Sequence, residues 1–288
     1  MKKSFKAKME PYLYVFPALF ILIVFVYYPF FLTIIGSMFK VNIYGELKDF
    51  IFLKNYSYLL TDGNFYKALW QTLYHTIVYV VLSVGISLFL AIIADKKSRF
   101  YRIYRVLYSL TMIISVSIAA QLFRFLYSPA VGPINKIFGL DINWLVDRRF
   151  AMLALTLIMV WITIGFNYIY LSAAIKNVPA DILESAEIDG ATTLQKIYKF
   201  IIPLISPSLF FLIVTGLITG LTMITPVLIL TEGGPDNTTT TLIYSMYNFA
   251  FNKSNYSVAY AYGVIVFIIV AVVVAFNFMY EKKKVFYG

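Results

Sequence analysis

Long apolar stretches decide how this chain can fold. Crossing the hydrocarbon core of a bilayer takes about twenty predominantly apolar residues in a helix. Backbone groups in lipid must also be hydrogen-bonded within their own segment, which favours helices. Six stretches meet the length requirement, so we predict an all-α membrane protein with six transmembrane helices, over residues 12–36, 70–94, 106–127, 151–174, 207–230 and 257–280.

The composition excludes several other classes of protein. Only 13% of the residues are charged and 61% are hydrophobic, whereas about a quarter of a soluble domain is charged. The net charge of +10 does not indicate nucleic-acid binding, because no basic soluble domain accompanies it. The apolar run from Tyr12 to Ile35 is too long for a cleaved signal sequence, so we expect it to stay as a membrane anchor.

The distribution of Lys and Arg predicts the orientation. Fifteen of the 24 basic residues fall in the segments that are inside when both termini are cytoplasmic, and basic residues concentrate on that side. Residues 175–206 then form a cytoplasmic loop between the fourth and fifth helices. Its four carboxylates would each cost about 2.5–3.5 kcal/mol at the membrane centre, which keeps the loop out of the lipid; they are Asp181, Glu184, Glu187 and Asp189.

Local signals within this loop predict two short helices. Pro179 suits the start of the first helix, and Gly190 suits the left-handed position that closes it. Thr192 or Thr193 can cap the second helix, and Pro203 should end or kink it. Two interpretations stay open on the residues alone. The first helix is either a solvated loop element or a small amphipathic helix that docks in a partner's groove, with an apolar face of Ile182, Leu183 and Ala186.

The run ESAEIDGATTLQKIYKFIIP (184–203) resembles a known motif. It is similar to the EAA motif of permease subunits of binding-protein-dependent ATP-binding-cassette (ABC) importers, and the spacings from Glu184 to Gly190 and from Gly190 to Pro203 both fit. Ser185, Phe200 and Ile202 stand where that motif has Ala, Ile and Leu. These departures are conservative in size or polarity and leave the motif recognisable.

Two further stretches resemble the carbohydrate-importing branch of that family, which includes maltose, multiple-sugar and glycerol-phosphate permeases. LTEGGPDNTTTTLIYSMYNFAF (230–251) is similar to the external loop after the fifth helix, and FLKNYSYLLTDGNFYKALWQT (52–72) to the entry into the second. On the residues alone, the Gly-Gly-Pro sequence is a turn signal.

The resemblance implies a function and a set of partners. It implies one transmembrane permease domain over 1–288, in a prokaryotic inner or plasma membrane, which imports sugars or oligosaccharides. The expected partners are a second homologous permease, two cytoplasmic ATP-binding subunits and an extracellular solute-binding protein. A heterodimer of permeases is expected, and a homodimer stays open. The residues implied to couple the permease to the ATPases are Glu184, Ser185, Ala186, Asp189, Gly190 and Pro203.

The sequence argues against an enzyme. It contains no G-x-x-x-x-G-K-[ST] phosphate loop, no cysteine and a single histidine, His75, so we expect no cofactor or metal in this chain and ATP–Mg in the partner subunits. An ion-coupled secondary transporter acting alone remains an alternative. The absence of Asp and Glu from the predicted helix interiors weakens it. A glycerol-phosphate importer and a membrane scaffold without a solute path are further alternatives.

Polar side chains within the predicted spans suit a hydroxyl-rich solute. Arg124, near the end of the third span, either extends to the membrane surface or lies on the solute path. Hydroxyls and amides can bond sugar hydroxyls, and aromatic rings can cover sugar faces, but packing between helices would use the same residue types. The candidate pathway residues are Thr215, Thr219, Thr222, Tyr168, Asn167 and Gln121.

Overall fold

The computed structural model describes residues 5–94 and 101–284. Within these ranges four helices are long and apolar enough to cross a membrane, namely Tyr12–Gly36, Gly63–Ile93, Ala151–Lys176 and Tyr256–Met279. A bent pair, Thr193–Leu204 and Ser206–Leu221, could form a fifth span. The chain is therefore a helical, multi-pass membrane protein.

Short irregular segments separate most of the helices. In chain order the α-helices are α1 (Phe5–Leu22), α2 (Tyr28–Gly36), α3 (Lys54–Thr61), α4 (Gly63–Ala94), α5 (Tyr101–Thr111), α6 (Val116–Leu126), α7 (Pro133–Phe138), α8 (Ala151–Lys176), α9 (Ala180–Ile188), α10 (Thr193–Lys196), α11 (Ile202–Leu204), α12 (Ser206–Leu221), α13 (Leu242–Tyr247) and α14 (Tyr256–Lys284). Within the described part of the chain, four π-helical turns occur, at Ile23–Tyr27, Ile197–Ile201, Val227–Thr231 and Asn248–Asn252.

The third predicted span, 106–127, is not one continuous helix. Helix α5 ends at Thr111 and α6 begins at Val116. The amides of Met112 and Ile113 each bond a carbonyl three residues back, which tightens the end of α5. The Ser115 side chain then accepts a 3.3 Å bond from the Ile118 amide and caps α6. Because the cap starts a new helix, a segment whose hydropathy predicts one helix is divided into α5 and α6.

The fifth predicted span, 207–230, is also interrupted, because α12 ends at Leu221. Pro226 lacks the N–H that would bond the Thr222 carbonyl in a continuous helix. The hydroxyl of Thr241 donates a 3.0 Å bond to the Met223 carbonyl within the interruption. A loop side chain therefore satisfies a backbone group that the break exposes. The second span begins earlier than predicted, at Gly63.

The chain divides into two compact units, of which one contains Met1–Asp62 and Met246–Phe267. In it, α2 packs on the first part of α14, where Gly36 lies directly against the Tyr260 ring. An antiparallel hairpin follows α2, with β1 (Phe39–Val41) paired to β2 (Leu47–Phe50).

The other unit contains Gly63–Ser245 and Ile268–Gly288. Its core lies between α4, α8 and α12, and small residues allow close helix packing: Gly220 sits against Thr76 of α4. His75 is buried in this core, with Nδ1 at 2.7 Å from Thr156 Oγ1. His75 is therefore part of the packing between α4 and α8.

Candidate functional site

Residues 179–204, which we call the elbow, contain the EAA-like motif. Pro179 lies at the N-cap of α9, and Asp189 lies at its C-cap. Gly190 follows with a φ of 80°, a left-handed conformation in which only glycine avoids a Cβ penalty. The two-helix arrangement predicted from the sequence is present, and Gly190 makes its turn.

The second arm of the elbow begins with a capping box. The Gln195 amide donates to Thr192 Oγ1 at 3.3 Å, while the Thr192 amide donates to Gln195 Oε1 at 2.8 Å. Lys196 Nζ lies 2.9 Å from Glu187 Oε2 and links the two arms. The hydrogen bond from Lys196 lowers the pKa of the Glu187 carboxyl. Sequence reasoning missed this pair, although the capping box was readable from Thr192 and Gln195.

The exposed surface of the elbow is partly apolar. Ile188, Leu194 and Tyr198 are 86%, 66% and 69% exposed, beside the exposed acids Asp181 and Glu184. The apolar face predicted for α9 points the other way, because Ala186 is buried. Exposed apolar side chains amid acids form a surface that a partner protein could cover.

A bend follows the elbow. The segments Thr193–Leu204 and Ser206–Leu221 meet at an angle of 68°. The helical segment that contains Pro203 ends one residue after it, at Leu204, as predicted for that proline. Pro207 sits in the first turn of α12, where its missing N–H costs little. Beside the bend, the end of α8 and the start of α12 enclose a cavity of about 240 Å³.

The threonine stripe of α12 is partly accessible. The hydroxyls of Thr215, Thr219 and Thr222 donate to the carbonyls four residues back, at 2.8, 2.9 and 2.8 Å. Their oxygens keep acceptor capacity for a solute hydroxyl. Thr222 is exposed where α12 ends.

The remaining pathway candidates lie in different surroundings. Tyr168 is 1% exposed and packs on Tyr108 with the ring centroids 4.7 Å apart. Asn167 is buried as well, whereas Gln121 on α6 is exposed. In this conformation Tyr168 and Asn167 belong to the packed core rather than to an accessible surface.

The Gly-Gly-Pro loop is held by its own threonines. Thr239 Oγ1 donates to the Gly234 carbonyl at 2.6 Å, and Thr240 Oγ1 donates to the Gly233 carbonyl at 3.2 Å. Gly233 has a φ of 84°, and a Cβ there would meet Thr240 and Tyr244. Hydrogen bonds from the threonine run therefore stabilise the loop. This agrees with the interpretation of the Gly-Gly-Pro sequence as a turn signal.

A larger cavity of about 520 Å³, which we call the outer cavity, lies beside this loop. This open cavity is lined by the end of α6, by residues 143–146 ahead of α8 and by the Gly-Gly-Pro loop. Its polar lining comes from Arg124, Ser128, Asn143 and Thr231. The Arg124 guanidinium also donates a hydrogen bond to the Ile229 carbonyl.

Comparison with known proteins identifies relatives over almost the whole chain. Residues 83–285 match the family described as binding-protein-dependent transport system inner membrane component. The chain is 30% identical to the sn-glycerol-3-phosphate transport system permease protein UgpA of Agrobacterium fabrum, over 99% of this chain and 98% of that protein. The protein of the same name from Escherichia coli (strain UTI89 / UPEC) is 32% identical, over 98% of this chain and 97% of that protein.

Solved structures share the fold. A chain of a bacterial ABC transporter involved in the import of the acidic polysaccharide alginate superposes with a TM-score of 0.85 at 21% identity, covering 96% of both chains. A chain of the MetNI methionine ABC transporter superposes less closely, with a TM-score of 0.58 at 18% identity, over 80% of this chain and 97% of that one. The family match confirms the resemblance drawn from the EAA-like motif.

Proposed function

Because the chain belongs to the binding-protein-dependent transport system inner membrane component family, we propose that it is the membrane-spanning subunit of an ATP-driven importer. The family consists of transport permeases rather than enzymes. Separate ATPase subunits would bind ATP–Mg and drive the permease through the elbow. This chain would contribute the membrane helices and the surface that receives the movement.

The proposed topology has six spans in one domain over 1–288, with both termini and the elbow in the cytoplasm. The pair α5–α6 would form the third span and α12 with the following π-helical turn the fifth. The excess of Lys and Arg in the proposed inner segments supports this orientation. Since the chain has no cysteine, single-cysteine variants Ser185→Cys and Thr238→Cys should react from opposite sides of sealed vesicles.

The observation that carries the proposed coupling is the exposed apolar surface of the elbow. Ile188, Leu194 and Tyr198 are exposed within an acidic two-helix segment whose spacing fits the EAA motif. Burying such residues in a partner's groove is favourable by about 25 cal/mol per Å² of apolar area. ATP binding would then favour one of two permease conformations through this contact.

The proposed solute is a sugar or an oligosaccharide, delivered by an extracellular solute-binding protein to a cavity shared with a second permease. The partly accessible stripe of Thr215, Thr219 and Thr222 supports a hydroxyl-bearing solute. A second candidate is a glycerol phosphate, which is favoured by the names of the relatives from Agrobacterium fabrum and Escherichia coli. Thr219→Val combined with Thr222→Val should lower uptake without affecting assembly, while Thr33→Val should not.

Two matched isoleucines test the coupling. Ile188 is 86% exposed on the elbow, and Ile137 is 74% exposed on α7, on the proposed outer side. In the assembled importer in proteoliposomes, Ile188→Asp should abolish most ATP-driven uptake, and Ile137→Asp should leave uptake intact. Equal uptake by both variants would reject the elbow as the coupling surface. Uptake by the purified chain alone, driven by an ion gradient, would establish the secondary-transporter alternative.

A further inference from the structure

We propose that the outer cavity is an oxyanion site, which takes the phosphate or carboxylate of an anionic carbohydrate solute. The inference rests on the proposed import function and narrows its substrate class from sugars in general to acidic ones. Its starting point is a cation in a cavity whose other polar groups are neutral.

The donors of the outer cavity suit an oxyanion. Arg124 carries a planar fork of five N–H donors, and within the described residues one hydrogen bond from it is recorded, to the Ile229 carbonyl. That bond fixes the side chain while leaving donors for a second acceptor. A guanidinium can bind a phosphate or carboxylate through two parallel bonds. Ser128, Asn143 and Thr231 add hydroxyl and amide groups to the lining.

The charges around the outer cavity also favour an anion. None of the described residues that line it is Asp or Glu. Two acids next in sequence to lining residues are each paired with an arginine, Asp236 with Arg148 and Asp147 with Arg149. Glu232 follows Thr231 in the chain, but its side chain is exposed and outside the lining. The described lining residues therefore include no carboxylate that could pair with the Arg124 guanidinium.

The wall of the outer cavity is fixed by a polar and aromatic cluster. Trp144 Nε1 donates to Asn135 Oδ1 at 2.7 Å, and the Trp144 ring stacks on Tyr127 with the centroids 5.4 Å apart. The Tyr127 hydroxyl donates to the Ala154 carbonyl at 3.0 Å. Such a fixed wall reduces the ordering cost when a ligand binds.

Two sources could supply the anion. A phosphate ester of the solute and the headgroup phosphate of a lipid share the same chemistry, and Arg124 lies at the end of a membrane helix. The cavity volume of about 520 Å³ falls in the range of small-molecule sites, about 300–1,000 Å³. The neutral hydroxyl and amide groups of the lining match the hydroxyls of a sugar or polyol, which favours the solute.

The test measures equilibrium binding of radiolabelled sn-glycerol 3-phosphate to the assembled importer, without ATP. The importer is held in detergent free of phospholipid, and unlabelled glycerol serves as the neutral competitor. Arg124→Gln should weaken binding at least about ten-fold, the loss expected for a charge-assisted pair. Arg124→Lys should restore part of the affinity. Lys136→Gln removes an exposed cation from α7 outside the lining and should leave binding unchanged.

Each outcome of this measurement decides the proposal. Equal binding by the wild type and Arg124→Gln, or no binding by either, would overturn it. Added phosphatidylglycerol that displaces the labelled solute from the wild type would assign the site to lipid and overturn the solute assignment. Competition by glycerol as strong as by unlabelled sn-glycerol 3-phosphate would show that the anion is not recognised. Because this binding needs neither ATP nor uptake, its failure would leave the ATP-driven transporter proposal standing.

Discussion

Gly165 allows α8 to approach α5 closely, and its replacement should be costly. A Cβ built on Gly165 would lie on the Tyr108 carbonyl oxygen and on Thr111 Oγ1. These two oxygens are joined by a 2.9 Å hydrogen bond from Thr111 to Tyr108. Normal contact would require a displacement of the order of 1 Å, and the obstructing atoms are largely backbone, so Gly165→Ala should move a whole helix.

Gly85 in α4 provides a matched control. It also lies within a membrane helix, but a Cβ there meets nothing within 4 Å. Gly85→Ala should be neutral or stabilising by up to about 1 kcal/mol, because alanine favours the helix. Overpacking costs about 1–3 kcal/mol where side chains can yield, so we expect Gly165→Ala to cost about 3 kcal/mol or more.

The assay is thermal unfolding of the purified importer in detergent. A loss of about 3 kcal/mol corresponds to a fall in Tm of about 6–12 °C for a chain of this size. Gly165→Ala should show such a fall, and Gly85→Ala should show none. If the two variants unfold at the same temperature, α5 and α8 do not pack as closely as described at Gly165.

Three further predictions concern local features. Gly190→Ala should impair ATP-driven uptake through backbone strain of about 1–2 kcal/mol; Gly139→Ala, also at a positive φ with open space, should leave uptake unchanged in the same vesicle assay. The Asp147 carboxyl should stay ionised down to about pH 2, because Arg149 lowers its pKa from 3.8. The ion pair should therefore stabilise the fold above pH 4 and be lost as pH falls through about 2. In Arg149→Gln, carbon NMR should find the Asp147 pKa raised toward its ordinary value, because only the backbone hydrogen bond from residue 149 remains. Thr192→Ala should speed amide exchange in α10 by removing its cap, and unchanged exchange would contradict the capping box.

Local signals predicted the elbow well because its structure depends on neighbouring residues. Gly190 supplies a positive φ and Thr192 a capping side chain, and both effects act within a few residues. The same reasoning could have found the divided third span, since Ser115 is a capping residue. Hydropathy summed over a window conceals such a residue among Met and Ile.

Other features depend on distant parts of the chain. Thr241 bonds the Met223 carbonyl across 18 residues, and this bond supports the interruption that Pro226 favours. Helical spacing assigned Tyr168 to the candidate solute pathway. Whether a helical face meets solvent or another helix, however, is decided by packing. Tyr168 meets Tyr108 on α5, which no local pattern predicts.

Site-specific cross-linking can show whether the elbow contacts a separate ATPase in the assembled importer. Ile188→Cys places the only thiol of this chain on the elbow, where a maleimide–benzophenone reagent can be attached and photolysed in the assembled importer. We expect Ile188→Cys to give a cross-link to the ATPase subunit whose yield changes with ATP, and Ile137→Cys to give none. An efficiently labelled Ile188→Cys that cross-links only to lipid or to nothing would contradict it.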